Sequence, residues 1–159
     1  MTAVTVTRLV HASPSAVWDI ISNVVTVANW HPAVESADLL SASPTGLGAT
    51  RRCNFYDGTS VVEKVTEVEP GKRVHLVLSE FSLPMTRFEA EIVLSPADGG
   101  HTQATFILDY DMKYGVLGKA MSALIVQGQM SKLMNRVIGG LDHHVLTGEV
   151  VAADFTVAA

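Results

Sequence analysis

The sequence predicts an α+β domain in which a curved antiparallel sheet of about seven strands wraps one long C-terminal helix, with two short helices after the first strand. Between residues 34 and 112, strand-like segments are separated by Gly- or Pro-bearing turns every 10–15 residues, which leaves no room for a helical crossover and excludes a parallel sheet. From about 114 to 147 the apolar residues recur instead at steps of three, four or seven, the spacing of one helix face. Ahead of both, a β-branched run is followed by a hydroxyl–proline helix start.

Residues 3–11 are β-branched and partly alternating, which reads as the first strand. Ser13-Pro14 then supplies an N-cap and a proline at the first helical position, and Ala16, Val17, Ile20 and Ile21 repeat at helical spacing. Trp18 adds a large core anchor near the start of that helix. A second short helix over about 24–30 ends at Trp30-His31-Pro32, because the residue before a proline is pushed out of the helical region.

The strands that follow are bounded by Ser43-Pro44-Thr45-Gly46, Asp57-Gly58, Glu69-Pro70-Gly71, Ser82-Leu83-Pro84 and Pro96-Ala97-Asp98-Gly99-Gly100. Each of these carries the residues that reverse a chain, so the order is a meander of about six strands. In the last segment Leu117, Met121, Leu124, Met134, Ile138, Leu141 and Val145 mark one face. A helix over 114–147 would be about 50 Å long at 1.5 Å per residue and needs a long partner surface. Gly128 and Gly139-Gly140 each weaken it by about 1 kcal/mol relative to alanine, which a close approach to the sheet or a kink would explain. Residues 1–148 thus form a single domain, and 149–159 read as a flexible C-terminal tail. A sheet of this length carrying one helix must curl around it, and a deep curl leaves a space between the two layers.

Composition narrows the function. With 11 Lys and Arg against 16 Asp and Glu, and basic residues only in isolated pairs such as Arg51-Arg52, phosphate-backbone binding has little to work with, so nucleic acid is not an expected partner. No stretch reaches the roughly 18 apolar residues of a membrane span. The start, Thr2-Ala3-Val4-Thr5-Val6, has no basic region of the kind that opens a signal peptide, so the expectation is a soluble, cytoplasmic protein, monomer or homodimer. Cys53 is the only cysteine, which rules out an intramolecular disulfide and thiolate zinc sites, and the six histidines do not fall at metal-ligand spacing. No metal and no cofactor are expected. A Gly-x-Ser-x-Gly elbow and a P-loop are both absent, and Gly46-Leu47-Gly48 lacks the third glycine of a dinucleotide fingerprint.

Ser13-Pro14-Ser15-Ala16-Val17-Trp18, Trp30-His31-Pro32, Gly48-Ala49-Thr50-Arg51 and Glu63-Lys64-Val65, in this order of elements, resemble the START-like superfamily, also called SRPBCC or polyketide cyclase/dehydrase-like. The similarity of layout covers about 3–148. The resemblance implies a helix-grip fold with a hydrophobic cavity between sheet and C-terminal helix. Members bind lipids, polyketides, hormones or other aromatics there, and some catalyse cyclisation. The loop Phe55-Tyr56-Asp57-Gly58 lacks the longer Ser-Gly-Leu-Pro gate of the plant hormone receptors, so their phosphatase switch is not carried over.

The hairpin around Asp57-Gly58 decides which side chains face inward. Read with period two, Arg51, Cys53 and Phe55 share one face and Val61, Glu63 and Val65 another. A three-residue or bulged loop sets Arg51 opposite Glu63 on the apolar face; a two-residue turn at Asp57-Gly58 sets Arg52 opposite Glu63 instead. The first keeps the apolar set together, and related receptors use the matching Arg and Glu inside the cavity. The pair has two readings: an ion pair that holds sheet register, or an anchor for a ligand's carboxylate, carbonyl or hydroxyl.

Later strands extend the lining. Phe88, Ala90, Ile92 and Leu94 alternate with charged residues, and Phe106, Leu108, Tyr110 and Met112 follow the same phase. Met121, Leu124, Met130 and Met134 face them from the helix, and methionine suits a tolerant pocket. Trp30 closes one end. The expected ligand contacts are Trp30, Arg51, Cys53, Phe55, Val61, Glu63, Phe88, Ile92, Phe106, Tyr110, Met121 and Leu124. His31 and His75 are of the residue type that serves as acid or base near neutral pH, but neither has an orienting partner in the sequence. The leading reading is a binding or transport protein for a small hydrophobic or amphipathic molecule. The alternative is a metal-free cyclase or dehydratase using Glu63, Arg51 and Tyr110, and a third is an interaction module whose cavity is filled by its own side chains.

Overall fold

The computed structural model describes residues 2–113 and 116–157, and the side chains of the C-terminal helix from residue 124 onward. Strand β1 (Thr2–Val10) leads into helix α1 (Pro14–Ile21), a 3-10 turn at Val24–Thr26 and helix α2 (Val27–Trp30). Six strands follow, β2 (Val34–Leu39), β3 (Thr50–Phe55), β4 (Ser60–Glu69), β5 (Arg73–Ser79), β6 (Met85–Pro96) and β7 (Thr102–Met112). Helix α3 (Val116–Thr147) ends the domain. The start of α1 is the expected cap: Ser13 Oγ accepts the Ala16 N–H at 3.2 Å, and Pro14 occupies the first turn.

All strand pairs are antiparallel, in the order β1-β7-β6-β5-β4-β3-β2. The meander is interrupted only where β1 adds beside β7, pairing Thr2 with Tyr110 and Val10 with Thr102. Register shifts between Val34 and Ser36, Val65 and Glu67, and Met85 and Arg87 bend the sheet, since an extra residue on one strand raises its twist. The concave face buries Val61, Val65, Leu76, Phe88, Ile92, Phe106 and Tyr110 against Met134, Val137, Ile138 and Leu141 of α3. The convex face is a solvated charge ladder. Arg87 reaches Glu89, Asp109 and Asp111 at 3.2, 2.6 and 3.1 Å, and Arg73 bridges Glu67 and Glu91. His75 sits on this outer face between Thr66 and Glu89, at 2.7 and 3.1 Å, away from the concave side.

Gly140 permits a close approach rather than a kink: a Cβ there would overlap the Trp30 carbonyl oxygen and lie 3.4 Å from Pro32 Cδ. A Cβ at Gly128 would meet nothing within 4 Å.

Beyond α3, residues 149–157 run back over the domain. Gly148, at φ +72° with its N–H on the His144 carbonyl at 2.8 Å, ends the helix in the left-handed conformation that glycine allows, and the chain doubles back. Val151 is then 2% exposed, with its N–H on the Asn29 carbonyl at 2.9 Å. Arg136 donates to the carbonyls of Ala153 (Nη2, 3.0 Å) and Phe155 (Nε, 3.2 Å), and His143 meets Glu149 at 3.0 Å. An apolar residue that can be buried and two carbonyls that complete a guanidinium hold this segment down as a strap. No helix among the described residues is long and apolar enough to cross a membrane.

Candidate functional site

Curvature of the sheet separates its middle from α3 and leaves a cavity of about 640 Å³. The floor is built by alternation: Val61 and Glu63 of β4, Leu76 and Leu78 of β5, Phe88 and Ile92 of β6, and Phe106 of β7 point the same way. Helix α3 covers it with Met130, Leu133, Met134, Arg136 and Val137. One end is formed by Trp30 to Ala33, by Tyr56, whose N–H meets the Ala33 carbonyl at 3.4 Å, and by Ala153; Phe81 and Leu83 also line the cavity.

The β3–β4 hairpin places the polar group in this wall. Its loop has three residues between Phe55 and Thr59: the Gly58 N–H meets the Phe55 carbonyl at 3.1 Å, and the Phe55 N–H meets the Thr59 carbonyl at 2.9 Å. Gly58 takes φ +87°, the left-handed position that closes such a loop, whereas Asp57 does not take the positive φ that a two-residue type I′ turn would demand of it. Arg51 therefore pairs with Glu63 and Cys53 with Val61. Arg51 is 6% exposed; its Nη1 donates to the Val24 carbonyl at 2.8 Å, its Nε to Glu63 Oε2 at 2.6 Å, and its Nη2 to the same oxygen. Burial opposes the Arg51 charge, but the adjacent Glu63 carboxylate more than offsets it and holds the guanidinium pKa above its usual value. Glu63 Oε1 takes no hydrogen bond among the described residues, so the pair presents one free acceptor. A void of about 20 Å³, room for about one water, lies against Arg51, Trp18 and Val24.

His31 lies at the Trp30–Ala33 end. Its Nδ1 accepts the Ala33 N–H at 3.2 Å, which puts the proton of the neutral ring on Nε2, and its ring stands 6.5 Å from that of Phe55. Burial drives its pKa down to about 4, against the pull of Glu63 and with the help of Arg51 and Arg136. The ring is therefore neutral at pH 7, and Nε2–H has no partner among the described residues.

The structure brings Trp30, Arg51, Phe55, Val61, Glu63, Phe88, Ile92 and Phe106 together around the cavity. It places Cys53, Tyr110 and Leu124 elsewhere. Cys53 is 1% exposed beneath Glu63, its Sγ 3.6 Å from Oε2, and burial followed by that negative charge raises its pKa, so the thiol stays protonated. Tyr110 is fully buried behind Phe88, the rings 6.3 Å apart, and does not line the cavity. Its hydroxyl has no partner among the described residues, and burial raises its pKa. Leu124 is 73% exposed and does not line the cavity. The side chain of Met121 lies outside the described residues.

Leu76, Leu78, Phe81, Arg136 and Ala153 line the cavity without having been expected to. For Leu76 and Leu78 the signal was present, since Val74, Leu76 and Leu78 alternate with Arg73 and His75. Arg136 and Ala153 meet only because the strap returns, and no local pattern announces that.

Solved structures share this architecture. A protein from Thermobifida fusca superposes with a TM-score of 0.76 at 21% identity, covering 91% of this chain and 93% of that one. A START superfamily protein from Mycobacterium smegmatis gives 0.74 at 17% identity over 91% and 97%, and the Zhui aromatase/cyclase from Streptomyces sp. R1128 gives 0.68 at 17% over 94% and 99%. At these identities the likeness is one of fold. A search of curated proteins finds no match. The family model described as polyketide cyclase / dehydrase and lipid transport runs over residues 1–145, from the first strand to the last turns of the helix that roofs the cavity, and to that family the chain belongs.

Proposed function

We propose that the cavity binds a small hydrophobic or amphipathic molecule, as a carrier or sequestering protein would. The observation that carries this reading is the volume of about 640 Å³, walled mainly by aliphatic and aromatic side chains and inside the span of small-molecule sites, about 300–1,000 Å³. Each 100 Å² of ligand apolar surface buried there contributes about 2.5 kcal/mol. Trp30, Phe55, Val61, Phe88, Ile92 and Phe106 supply that contact, while Glu63 Oε1 and the His31 Nε2–H orient a polar group. Native mass spectrometry of protein purified from cells, with thermal shifts against a panel of hydrophobic compounds, tests it. A ligand at 100 times its Kd stabilises by about 2.7 kcal/mol. A folded protein that carries nothing and is stabilised by nothing in the panel counts against the reading.

A second reading, a metal-free cyclase or dehydratase, draws on one observation. A neutral His31 N–H and the Glu63 carboxylate line the same cavity, a donor for a carbonyl oxygen and an acceptor for a proton beside it. Turnover of a polycarbonyl substrate with a bell-shaped pH profile, lost in Glu63→Gln while near-UV circular dichroism is retained, would favour it over simple binding.

A further inference from the structure

Arg51 and Arg136 both line the cavity, but their charges are not equivalent. Two nitrogens of Arg51 are committed to Glu63 Oε2 and a third to the Val24 carbonyl, so an incoming anion meets a neutralised pair whose free atom is a carboxylate oxygen. Arg136 makes no ion pair among the described residues. Its Nε and Nη2 are held by the strap carbonyls of Phe155 and Ala153, both neutral, and its Nη1 has no partner among the described residues. The carboxylates of the strap leave it free as well: Glu149 is engaged by His143 at 3.0 Å, and neither Glu149 nor Asp154 pairs with Arg136. Across the same end of the cavity stands His31, whose open Nε2–H is a second donor.

We infer that this end of the cavity, formed by Arg136, His31 and the strap at Ala153, is an anion-recognising subsite, and that the ligand is an amphipathic acid whose carboxylate meets Arg136 while its apolar body lies along Phe55, Phe88 and Phe106. The inference rests on the cavity-binding reading above. A guanidinium fixed by two backbone carbonyls is pre-organised, so little side-chain freedom is lost when a carboxylate meets it. A hydrogen bond between two charged partners is stronger than one to a neutral oxygen. Glu63, with its free acceptor in the cavity wall, disfavours placing the acid at Arg51 and leaves Arg136 as its cation.

Dodecanoate and dodecan-1-ol, which share one apolar body, are titrated at pH 7.4 against the full chain by isothermal calorimetry. Dodecanoate is expected to bind about tenfold more tightly than the alcohol. Arg136→Gln is expected to abolish that preference, the ratio of the two affinities falling to about one whatever their absolute values, and Arg136→Lys, which keeps the charge but cannot bridge both carbonyls, to preserve most of it. Equal affinity for the two probes in the unaltered chain, or a preference that survives Arg136→Gln, overturns the subsite and leaves the cavity reading standing. Loss of the preference in Arg136→Lys as well as in Arg136→Gln also overturns it, since Arg136 would then act only by fastening the strap. Binding of neither probe by folded protein overturns the subsite and counts against cavity binding too.

Discussion

No side chain fits between Gly140 and the backbone carbonyl of Trp30, because a Cβ on α3 at this point would overlap that oxygen. This contact sets how near the roof of the cavity comes to its Trp30–Ala33 end. The obstacle is backbone followed by Pro32 Cδ, which cannot swing aside. Gly140→Ala is expected to cost about 1–3 kcal/mol in urea denaturation, the range for overpacking a close contact. Gly128→Ala, with open space around its Cβ, is expected to gain up to about 1 kcal/mol from helix propensity. Equal effects at the two positions would refute the close approach.

The Arg51–Glu63 pair is expected to be worth more for what its breakage leaves behind than for its own attraction. Glu63→Leu strands a guanidinium that is 6% exposed, at a cost of about 3–5 kcal/mol. The double variant Arg51→Met/Glu63→Leu is expected to recover most of that loss, as buried pairs replaced by apolar residues of similar size usually do. A double-mutant cycle in guanidinium chloride checks both.

His31 makes stability depend on pH in one direction. Its folded pKa, about 4, lies below the 6.5 of the unfolded ring, so the unfolded chain binds the proton more readily. Its contribution is therefore constant above pH 6.5, and stability is lost as pH falls from 6.5 towards 4. The loss reaches about 2 kcal/mol by pH 5 and about 3 kcal/mol at pH 4. Unfolding free energies from urea denaturation at pH 7 and pH 5 are expected to differ by about 2 kcal/mol more in the unaltered chain than in His31→Phe, where every other ionisable side chain is unchanged.

Val151 anchors the strap, at 2% exposure. Val151→Asp would bury an unpaired carboxylate, so the segment is expected to detach rather than the domain to unfold. Proteinase K should then trim the chain to a product ending near residue 148, whereas the unaltered chain keeps its strap under the same treatment.

Cys53 is expected to react with a disulfide reagent orders of magnitude more slowly in the native protein than in urea, because its thiol is both buried and kept protonated. Native reactivity close to the denatured rate would contradict the packing of the β3–β4 hairpin.

What the sequence determined by itself is the order of elements and the phase of each strand. Turn residues punctuate the meander at every reversal, and period-two alternation assigns Val61, Glu63, Phe88, Ile92 and Phe106 to one face wherever the chain is straight. The sequence left the hairpin register between Arg51 and Arg52 opposite Glu63, and the three-residue loop decides it for Arg51. Tertiary structure decided everything that depends on distance across the domain. The depth of the curl, through bulges at Val34/Ser36, Val65/Glu67 and Met85/Arg87, determines whether a residue on the concave face meets the cavity, as Phe88 does, or the packed core, as Tyr110 does. The return of the strap brings Arg136 and Ala153 to the cavity, because a left-handed Gly148 turns the chain and Val151 finds a place to be buried. Local patterns report which way a side chain points; which partner waits there is set by contacts between residues far apart in the chain.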